Sequence, residues 1–239
     1  MCGRYVSVRS DDDILEEFDA VIPDEHSVIE PNYNVAPTDP VRIVVNRHDL
    51  RQIRTAAWGL VPSWSKDRKG AARMINARVE SVPTKPAFRA AYAKRRCLVP
   101  ADGWYEWQVR DSPSGPVKQP MYMTPPDGHP LAFAGLYEFW RDPAGTSPTL
   151  TTCTIITSPS VGELEGVHER MPLLVPRSGW ARWLDPSVSD PADLLAPWDE
   201  AAGEHLELRP VSTKVNKVDN DGPDLVARVD PLPESATLF

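Results

Sequence analysis

The sequence predicts a strand-rich fold with few, short helices, and two observations favour it. The 239-residue chain contains 26 prolines, which interrupt helices and favour loops and short extended segments. About nine apolar or alternating segments have the length and residue types of strands. A hydrophobic content of 41% suits an ordinary buried core, and the length fits one large domain or two small ones.

The first helix is predicted at residues 11–19. Ser10 is a favourable N-cap, three acidic residues follow it in the first turn, and Ile14 and Phe18 provide an apolar face. Further short helices are predicted at 88–96, 179–184 and 191–198. Strands are predicted at 41–46, 52–58, 74–81, 97–100, 120–124, 131–140, 149–157, 173–175 and 206–211.

The cysteines and the apolar segments indicate a cytoplasmic protein without a cofactor. Cys2, Cys97 and Cys153 form no Cys-x-x-Cys pair, so neither a zinc ribbon nor a redox motif is predicted. An odd, sparse cysteine count is typical of the reducing cytosol. The N-terminus has no apolar leader, and no apolar run approaches the roughly 18 residues that span a membrane.

The chain begins Met1-Cys2-Gly3, which makes Cys2 a candidate nucleophile. Cysteine is small enough for a methionine aminopeptidase to remove Met1, leaving an amine and a thiol on one residue. The α-amine has a lower pKa than a lysine, so more of it is neutral and nucleophilic at neutral pH. Such a residue is either a nucleophile with its own base or an aldehyde trap that closes a thiazolidine ring. The alternative is an incidental cysteine in a frayed terminus.

The net charge of −8 is unevenly distributed along the chain. Ten basic residues and two acidic residues lie between positions 66 and 96, so the remainder is strongly acidic. This asymmetry is typical of a basic groove that binds a polyanion such as nucleic acid. A solvated helix face at 85–96 is the alternative, but it explains Arg73 and Arg78 less well, since they flank an apolar segment.

Two aromatic stretches are candidate functional segments. Trp58 and Trp64 flank a glycine and a proline just before the basic run, and they either pack in the core or stack on nucleobases. Glu106 stands between Trp104-Tyr105 and Trp107. An aromatic setting removes water from a carboxyl and raises its pKa, which suits a general acid or base. The alternative is a surface glutamate on an edge strand.

Two further segments carry polar side chains in informative positions. Alternation along the predicted strand 74–81 places Asn76, Arg78 and Glu80 on one face, which suggests a site. His168 lies in a predicted loop beside Arg170 and is the histidine best placed for chemistry, although a lone loop histidine is often only polar.

Seven separated motifs, in the same order, resemble the SOS response-associated peptidase (SRAP) family of abasic-site processing proteins. The resemblance runs from Met1 to about Gly222, and the stretch 178–205 matches no motif. The motifs are Cys2-Gly3-Arg4, Asn34-Val35-Ala36-Pro37, Trp58-Gly59 with Pro62 and Trp64, Asn76-Ala77-Arg78 with Glu80, Gly103-Trp104-Tyr105-Glu106-Trp107, His168-Glu169-Arg170-Met171-Pro172, and Val215-Asn216.

The resemblance implies that the chain shields abasic sites in single-stranded DNA by a thiazolidine cross-link through Cys2, with peptidase and lyase-type chemistry. It implies that Glu106 acts as acid and base, that Asn76 holds the sugar or the amine, and that His168 polarises the sugar oxygen. The DNA-binding residues implied are the phosphate clamps Arg4, Arg78 and Arg170, the tryptophans Trp58, Trp64 and Trp107, and Asn216.

The resemblance also implies an α+β fold, in which a bifurcated, mostly antiparallel sheet folds into a pseudo-barrel with short peripheral helices. One domain is expected at 1–222, with a peripheral tail at 223–239, in a monomer that is cytoplasmic and nucleoid-associated on damaged DNA. Two other functions were weighed. N-terminal nucleophile amidotransferases also begin Met-Cys-Gly, but this chain lacks room for their synthase domain and has no Asn-Gly pair. A non-catalytic reader of single-stranded or modified DNA would leave Cys2 and Glu106 without a role.

Overall fold

The structure is a computed structural model that describes residues 2–23, 28–112, 115–195 and 206–232. These residues form two sheets with short helices on the outside. The strands are β1 (Tyr5–Ser7), β2 (Asn32–Val35), β3 (Pro40–Arg47), β4 (Leu50–Trp58), β5 (Asn76–Arg78), β6 (Arg96–Ala101), β7 (Gly103–Arg110), β8 (Val117–Thr124), β9 (Leu131–Trp140), β10 (Leu150–Pro159), β11 (Arg170–Pro172) and β12 (Glu207–Pro210). The α-helices are α1 (Asp11–Phe18), α2 (Arg89–Lys94) and α3 (Trp180–Leu184), and 3-10 turns span Ala71–Arg73, Gly162–Gly166, Arg177–Gly179, Ala192–Leu195, Thr213–Asn216 and Pro223–Val226.

The larger sheet closes into a ring. Its strand order is β11-β10-β4-β3-β6-β9, and an additional pairing of β9 with β10 joins the ends of a five-stranded path. Strand β10 also divides the sheet, because its first half pairs with β4 and β9 while its second half pairs with β5 and β11. Apart from the parallel pairs that β10 makes with β4 and β5, the described ladders are antiparallel. The predicted bifurcated pseudo-barrel is therefore confirmed.

The smaller sheet, with the order β12-β8-β7-β1-β2, covers one side of the ring. Their shared core contains Cys2, Tyr5 and Trp104 from the smaller sheet, with Trp58 and Phe133 from the ring. The ring of Tyr5 meets Trp58 edge-on at 5.3 Å between centroids. This packing places the N-terminal segment, which leads into β1, between the two sheets.

Helix α1 forms where the sequence predicts it and has the expected cap. Ser10 Oγ accepts a hydrogen bond from the Asp13 backbone N–H at 3.1 Å, and the Asp13 carboxylate accepts one from the Ser10 N–H at 3.0 Å. The helix buries Ile14 and Phe18 against the outside of the ring, where Phe18 stacks on Trp180 at 4.4 Å. No helix among the residues placed by the structure is long and apolar enough to cross a membrane.

Several predicted boundaries were wrong. The strand expected at 74–81 shortens to β5, since a 3-10 turn precedes it and a hydrogen-bonded turn follows it. The strand expected at 173–175 is not formed there: β11 lies before it, in the predicted loop, and Leu174 makes an isolated β-bridge with Phe133. The tail expected to be peripheral from 223 packs on the smaller sheet, and Leu225 is 1% exposed. Met1, positions 196–198 of the fourth predicted helix and residues 233–239 lie outside the described residues.

Candidate active site and nucleic-acid interface

Cys2 lies in the core between the two sheets, fully buried. Strand β1 pairs with β7, with Tyr5 opposite Trp104, and the Tyr105 N–H donates to the Arg4 carbonyl at 3.0 Å. The same register directs Glu106 towards the start of the chain. Burial raises the pKa of the Cys2 thiol, and the negative charge of Glu106 raises it further. The thiol is therefore neutral at physiological pH.

Asn76 connects the ring to the N-terminal segment. Strand β5 runs parallel to β10, with Asn76 opposite Ile155, and this pairing aims the Asn76 side chain at Cys2. Its Nδ2 donates to the Cys2 carbonyl at 2.7 Å. Its Oδ1 is buried and has no hydrogen-bond partner among the described residues. Because buried polar atoms are nearly always paired in folded proteins, this oxygen is available to a bound substrate.

Glu106 is buried in an interior strand of the smaller sheet, not on an edge strand. It is 3% exposed on β7, and that strand lies between β8 and β1. Burial raises its pKa from 4.5 to about 7. The direction of this shift is what its aromatic sequence neighbours predict. A carboxyl that is half ionised near neutral pH can both donate and accept a proton.

His168 follows the 3-10 turn Gly162–Gly166 and is half-buried. Its Nδ1 accepts a hydrogen bond from the Arg170 backbone N–H at 3.0 Å. Burial lowers the pKa of His168, so the ring is neutral at physiological pH. The same Nδ1 lies 3.2 Å from the Arg170 carbonyl oxygen, so these contacts fit a ring proton on either nitrogen.

Glu106 and His168 line one shallow depression together with Trp104, Ser160 and Arg170. Apolar side chains from the turn 162–166, β8 and β11 complete its wall. The indole N–H of Trp104 and the Nε–H of Arg170 are buried, and neither has a hydrogen-bond partner among the described residues. Two unpaired donors thus belong to residues that line the depression with Glu106, and the unpaired Asn76 oxygen belongs to the side chain that binds Cys2. Within the part of the chain that the structure describes, no group of His, Cys, Asp and Glu is arranged to hold a metal.

The three predicted phosphate clamps lie in different environments. Arg78 is exposed on β5, and no described residue forms a hydrogen bond with its side chain. Arg4 is half-buried, and its Nη1 donates to Asn34 Oδ1 at 2.8 Å and to the Val215 carbonyl at 2.9 Å. Arg170 is paired with Glu80. Arg4 and Arg170 thus have structural partners already, and their contact with DNA stays a prediction.

The tryptophans divide into core and surface residues. Trp58 is fully buried, and its Nε1 donates to the Ile75 carbonyl at 3.0 Å, so the prediction that it stacks on a base is wrong. Trp64 is 69% exposed. Trp107 is half-buried, and its Nε1 donates to Asn216 Oδ1 at 2.7 Å. The last contact brings together two predicted DNA-binding residues that are 109 positions apart.

Two structurally important residues were not assigned a role from the sequence. Asn34 is 1% exposed, receives the Arg4 hydrogen bond, and donates to the Lys217 and Asn220 carbonyls at 2.9 Å each. It therefore ties β1 to the turn that carries Asn216. Glu80 holds Arg170 from 90 positions away. Both belong to motifs that the sequence shows, but their partners are visible only in the folded chain.

Comparison with known protein families and structures gives a consistent result. Residues 1–218 match the family model described as SOS response associated peptidase (SRAP). Abasic site processing protein YoqW of Bacillus subtilis is 38% identical over 231 residues, which cover 95% of this chain and 99% of that protein. Abasic site processing protein YedK of Escherichia coli is 28% identical over 234 residues, covering 96% of this chain and 100% of that protein.

Solved structures show the same fold. A crystal structure of a protein from Bacteroides thetaiotaomicron superposes with a TM-score of 0.81 at 24% identity, covering 95% of this chain and 100% of that one. A phage-related protein from Bordetella bronchiseptica gives a TM-score of 0.67 at 29% identity, covering 88% of this chain and 94% of that one.

Proposed function

Because this chain belongs to the SRAP family, several of whose members are named abasic site processing proteins, we propose that it forms a covalent cross-link with abasic sites in single-stranded DNA. The nucleophile is Cys2 after removal of Met1. One observation carries the proposal: Asn76 binds the backbone of Cys2 at 2.7 Å, while the charge of the buried Glu106 acts on the Cys2 thiol. Unpaired polar atoms around these residues leave hydrogen-bonding positions for a sugar.

The chemistry begins with the abasic deoxyribose, which is a hemiacetal in equilibrium with its open aldehyde. The Cys2 amine attacks C1′, and the resulting carbinolamine loses water when Glu106 protonates the departing hydroxyl. The iminium ion that remains keeps one hydrogen on nitrogen. The thiol sulfur then adds to its carbon while the Glu106 carboxylate accepts the thiol proton, so the nitrogen ends as a neutral secondary amine. The product is a five-membered thiazolidine with no net oxidation or reduction. A glutamate with a pKa of about 7 is suited to both proton transfers.

Asn76 and His168 assist at the sugar. Asn76 fixes the position of Cys2 and offers its Oδ1 as an acceptor. With its proton on Nε2, the neutral imidazole of His168 donates to a sugar oxygen. It thereby assists opening of the sugar ring and reversal of the cross-link. The same set of side chains can release Met1 from the chain, which accounts for peptidase chemistry.

The DNA-binding surface surrounds this site. Arg78 and the basic run 66–96 attract the phosphate backbone. Trp64, with 69% of its surface exposed, and the Trp107–Asn216 pair provide contacts for bases on either side. An abasic position lacks a base, so its sugar can enter a depression too shallow for a complete nucleotide.

The test is a denaturing gel of purified protein with single-stranded DNA that carries one abasic site, together with mass spectrometry of the N-terminus. We expect a heat-stable adduct in the protein that begins at Cys2. Cys2→Ala should bind DNA without a stable adduct. Cys2→Ser, like Cys2→Ala, keeps the α-amine after removal of Met1 but lacks the thiol, so each variant should give an adduct only when borohydride traps the Schiff base. A heat-stable adduct with Cys2→Ala, or none with the mature wild type, would refute the proposal.

A further inference from the structure

The guanidinium of Arg170 forms an ion pair with the carboxylate of Glu80 along its solvent-facing edge. Arg170 Nη1 donates to Glu80 Oε1 at 2.5 Å, and Nη2 donates to Glu80 Oε2 at 3.1 Å. Nη2 also donates to the Thr157 carbonyl, which anchors the guanidinium to β10. The Arg170 side chain is 9% exposed, whereas the Glu80 side chain is 52% exposed. Glu80 thus covers Arg170 from the solvent side.

A carboxylate held in this way occupies the place of a phosphate. Arginine binds both anions through the same pair of parallel N–H donors, with closely similar geometry. The arginine is fixed by its contact with β10, while the glutamate lies in a turn just after β5 and faces water. Of the two partners, Glu80 is therefore the one that can leave without disturbing the ring of strands.

A second cation stands beside this pair. Arg78 lies two positions before Glu80, is exposed, and acts electrostatically on the Glu80 carboxylate together with Arg170. Arg170 also lines the depression that contains Glu106 and His168. A phosphate that displaced Glu80 would lie between two arginines at the edge of the candidate site.

We propose that Glu80 is a stand-in for a DNA phosphate: it keeps Arg170 in its binding orientation in the free protein and exchanges for a backbone phosphate when single-stranded DNA binds. This inference rests on the proposed function of the same site. Glu80 then lowers the affinity for DNA in general, since every strand that binds must displace it. Because Glu80 leaves before the chemistry, it affects binding and not the rate of cross-linking at saturation.

The experiment compares Glu80→Gln with Glu165→Gln, which removes an exposed negative charge from the turn 162–166 but makes no contact with Arg170. Binding to intact single-stranded DNA is followed by fluorescence anisotropy over a range of salt concentrations. For Glu80→Gln we expect a Kd roughly two- to fivefold lower, as for loss of a half-exposed competing ion pair. The salt slope should steepen by up to about 0.7, because the cation that one phosphate releases is no longer offset by a cation taken up by the displaced Glu80 carboxylate. Glu165→Gln should leave the slope unchanged.

A double-mutant cycle shows whether Glu80 acts through Arg170. In an Arg170→Gln background, the effect of Glu80→Gln on Kd should disappear. An undiminished effect there, or a Kd and slope equal to wild type in the single variant, would overturn the proposal. If Glu80→Gln melts well below wild type, Glu80→Asp replaces it, because it keeps the charge on a side chain too short to pair as well with Arg170. A Kd lower than that of wild type supports exchange, and a wild-type Kd refutes it.

The cross-linking rate at saturating abasic DNA separates this inference from the proposed function. We expect the rate with Glu80→Gln to equal that of wild type. A slower rate would mean that Glu80 remains in place during the reaction, and the exchange would be refuted while the cross-linking function stood. Absence of any cross-link in wild type would refute the proposed function, and the binding measurements would still report on Glu80.

Discussion

Glu106 connects the reactivity of the site to pH, because burial raises its pKa from 4.5 to about 7. In the proposed reaction Glu106 is the acid that expels water and must be protonated, so the rate of cross-linking should fall as the pH rises above 7. The Cys2 amine must be neutral, which gives a rising limb, and the profile should be bell-shaped. In Glu106→Gln the falling limb should vanish and the rate should drop about 100-fold, the lower end of typical general acid–base effects. Single-turnover gels across pH measure this, and an unchanged falling limb would exclude Glu106 as the acid.

The melting temperature of Glu106→Gln provides the control for its loss of rate. Folding raises the pKa of the Glu106 carboxyl, because burial disfavours its charged form. The folded protein therefore loses stability as the pH rises from the ordinary pKa of 4.5 through about 7. Glu106→Gln has no such charge, so its melting temperature at pH 8 should equal or exceed that of wild type. A markedly lower melting temperature would mean that the loss of rate reflects misfolding.

Residue environments were predictable where the cause is local. Aromatic neighbours in the sequence indicated a buried setting for Glu106, with a surface position on an edge strand as the alternative, and the structure has it buried. For Trp58 the sequence left core packing and base stacking open, since the partner of its indole N–H lies 17 positions away. The Glu80–Arg170 pair joins residues 90 positions apart, and in the sequence each residue alone resembles an ordinary solvent-exposed charge. Long-range pairing is the information that a single sequence lacks.

Among the elements, the end of β4 depends on a glycine. Gly59 has φ of +140°, and a Cβ there would lie 2.6 Å from the Ala71 carbonyl oxygen. Gly59→Ala should lower the free energy of unfolding by at least about 2 kcal/mol, through backbone strain and this clash. Gly70→Ala is the matched control, because Gly70 has φ of −82° and a Cβ there meets nothing within 4 Å. Urea denaturation measures the free energy of unfolding of both variants. Equal midpoints would contradict the expected strain and clash at Gly59.

Elements with strong local signals were predictable from the sequence. Helix α1 has both a cap and an apolar face within eight residues, and it was found within one residue of its end. The strands β3, β4 and β9 carry long apolar or alternating patterns and were also found. The ends of β5 and β11 depend on pairing with β10, which is 70 or more positions from β5 and separated from β11 by a turn. Such ends are determined by tertiary hydrogen bonds, not by local residue type.

At the scale of the whole molecule, the segment 223–232 packs against the smaller sheet. Arg228 forms a bridge with Val211 and an ion pair with Glu207, and the Leu232 N–H donates to Gln119 at 2.8 Å. The sequence indicated a peripheral tail because the segment is rich in proline and aspartate. Its attachment depends on one buried apolar side chain, that of Leu225, and on contacts with β2 and β12 that lie far away in the sequence.

Leu225→Ala should therefore destabilise the entire domain. Removing a fully buried leucine side chain typically costs about 2–5 kcal/mol in the free energy of unfolding. Val229→Ala, four positions later at a side chain that is 36% exposed, should change it by no more than about 0.5 kcal/mol. Because the turn Pro223–Val226 packs on β2, which also carries Asn34 and through it Arg4, the loss should appear in one cooperative transition. A separate early transition in Leu225→Ala, or equal stability of the two variants, would show that 223–232 is an appendage and not part of the domain.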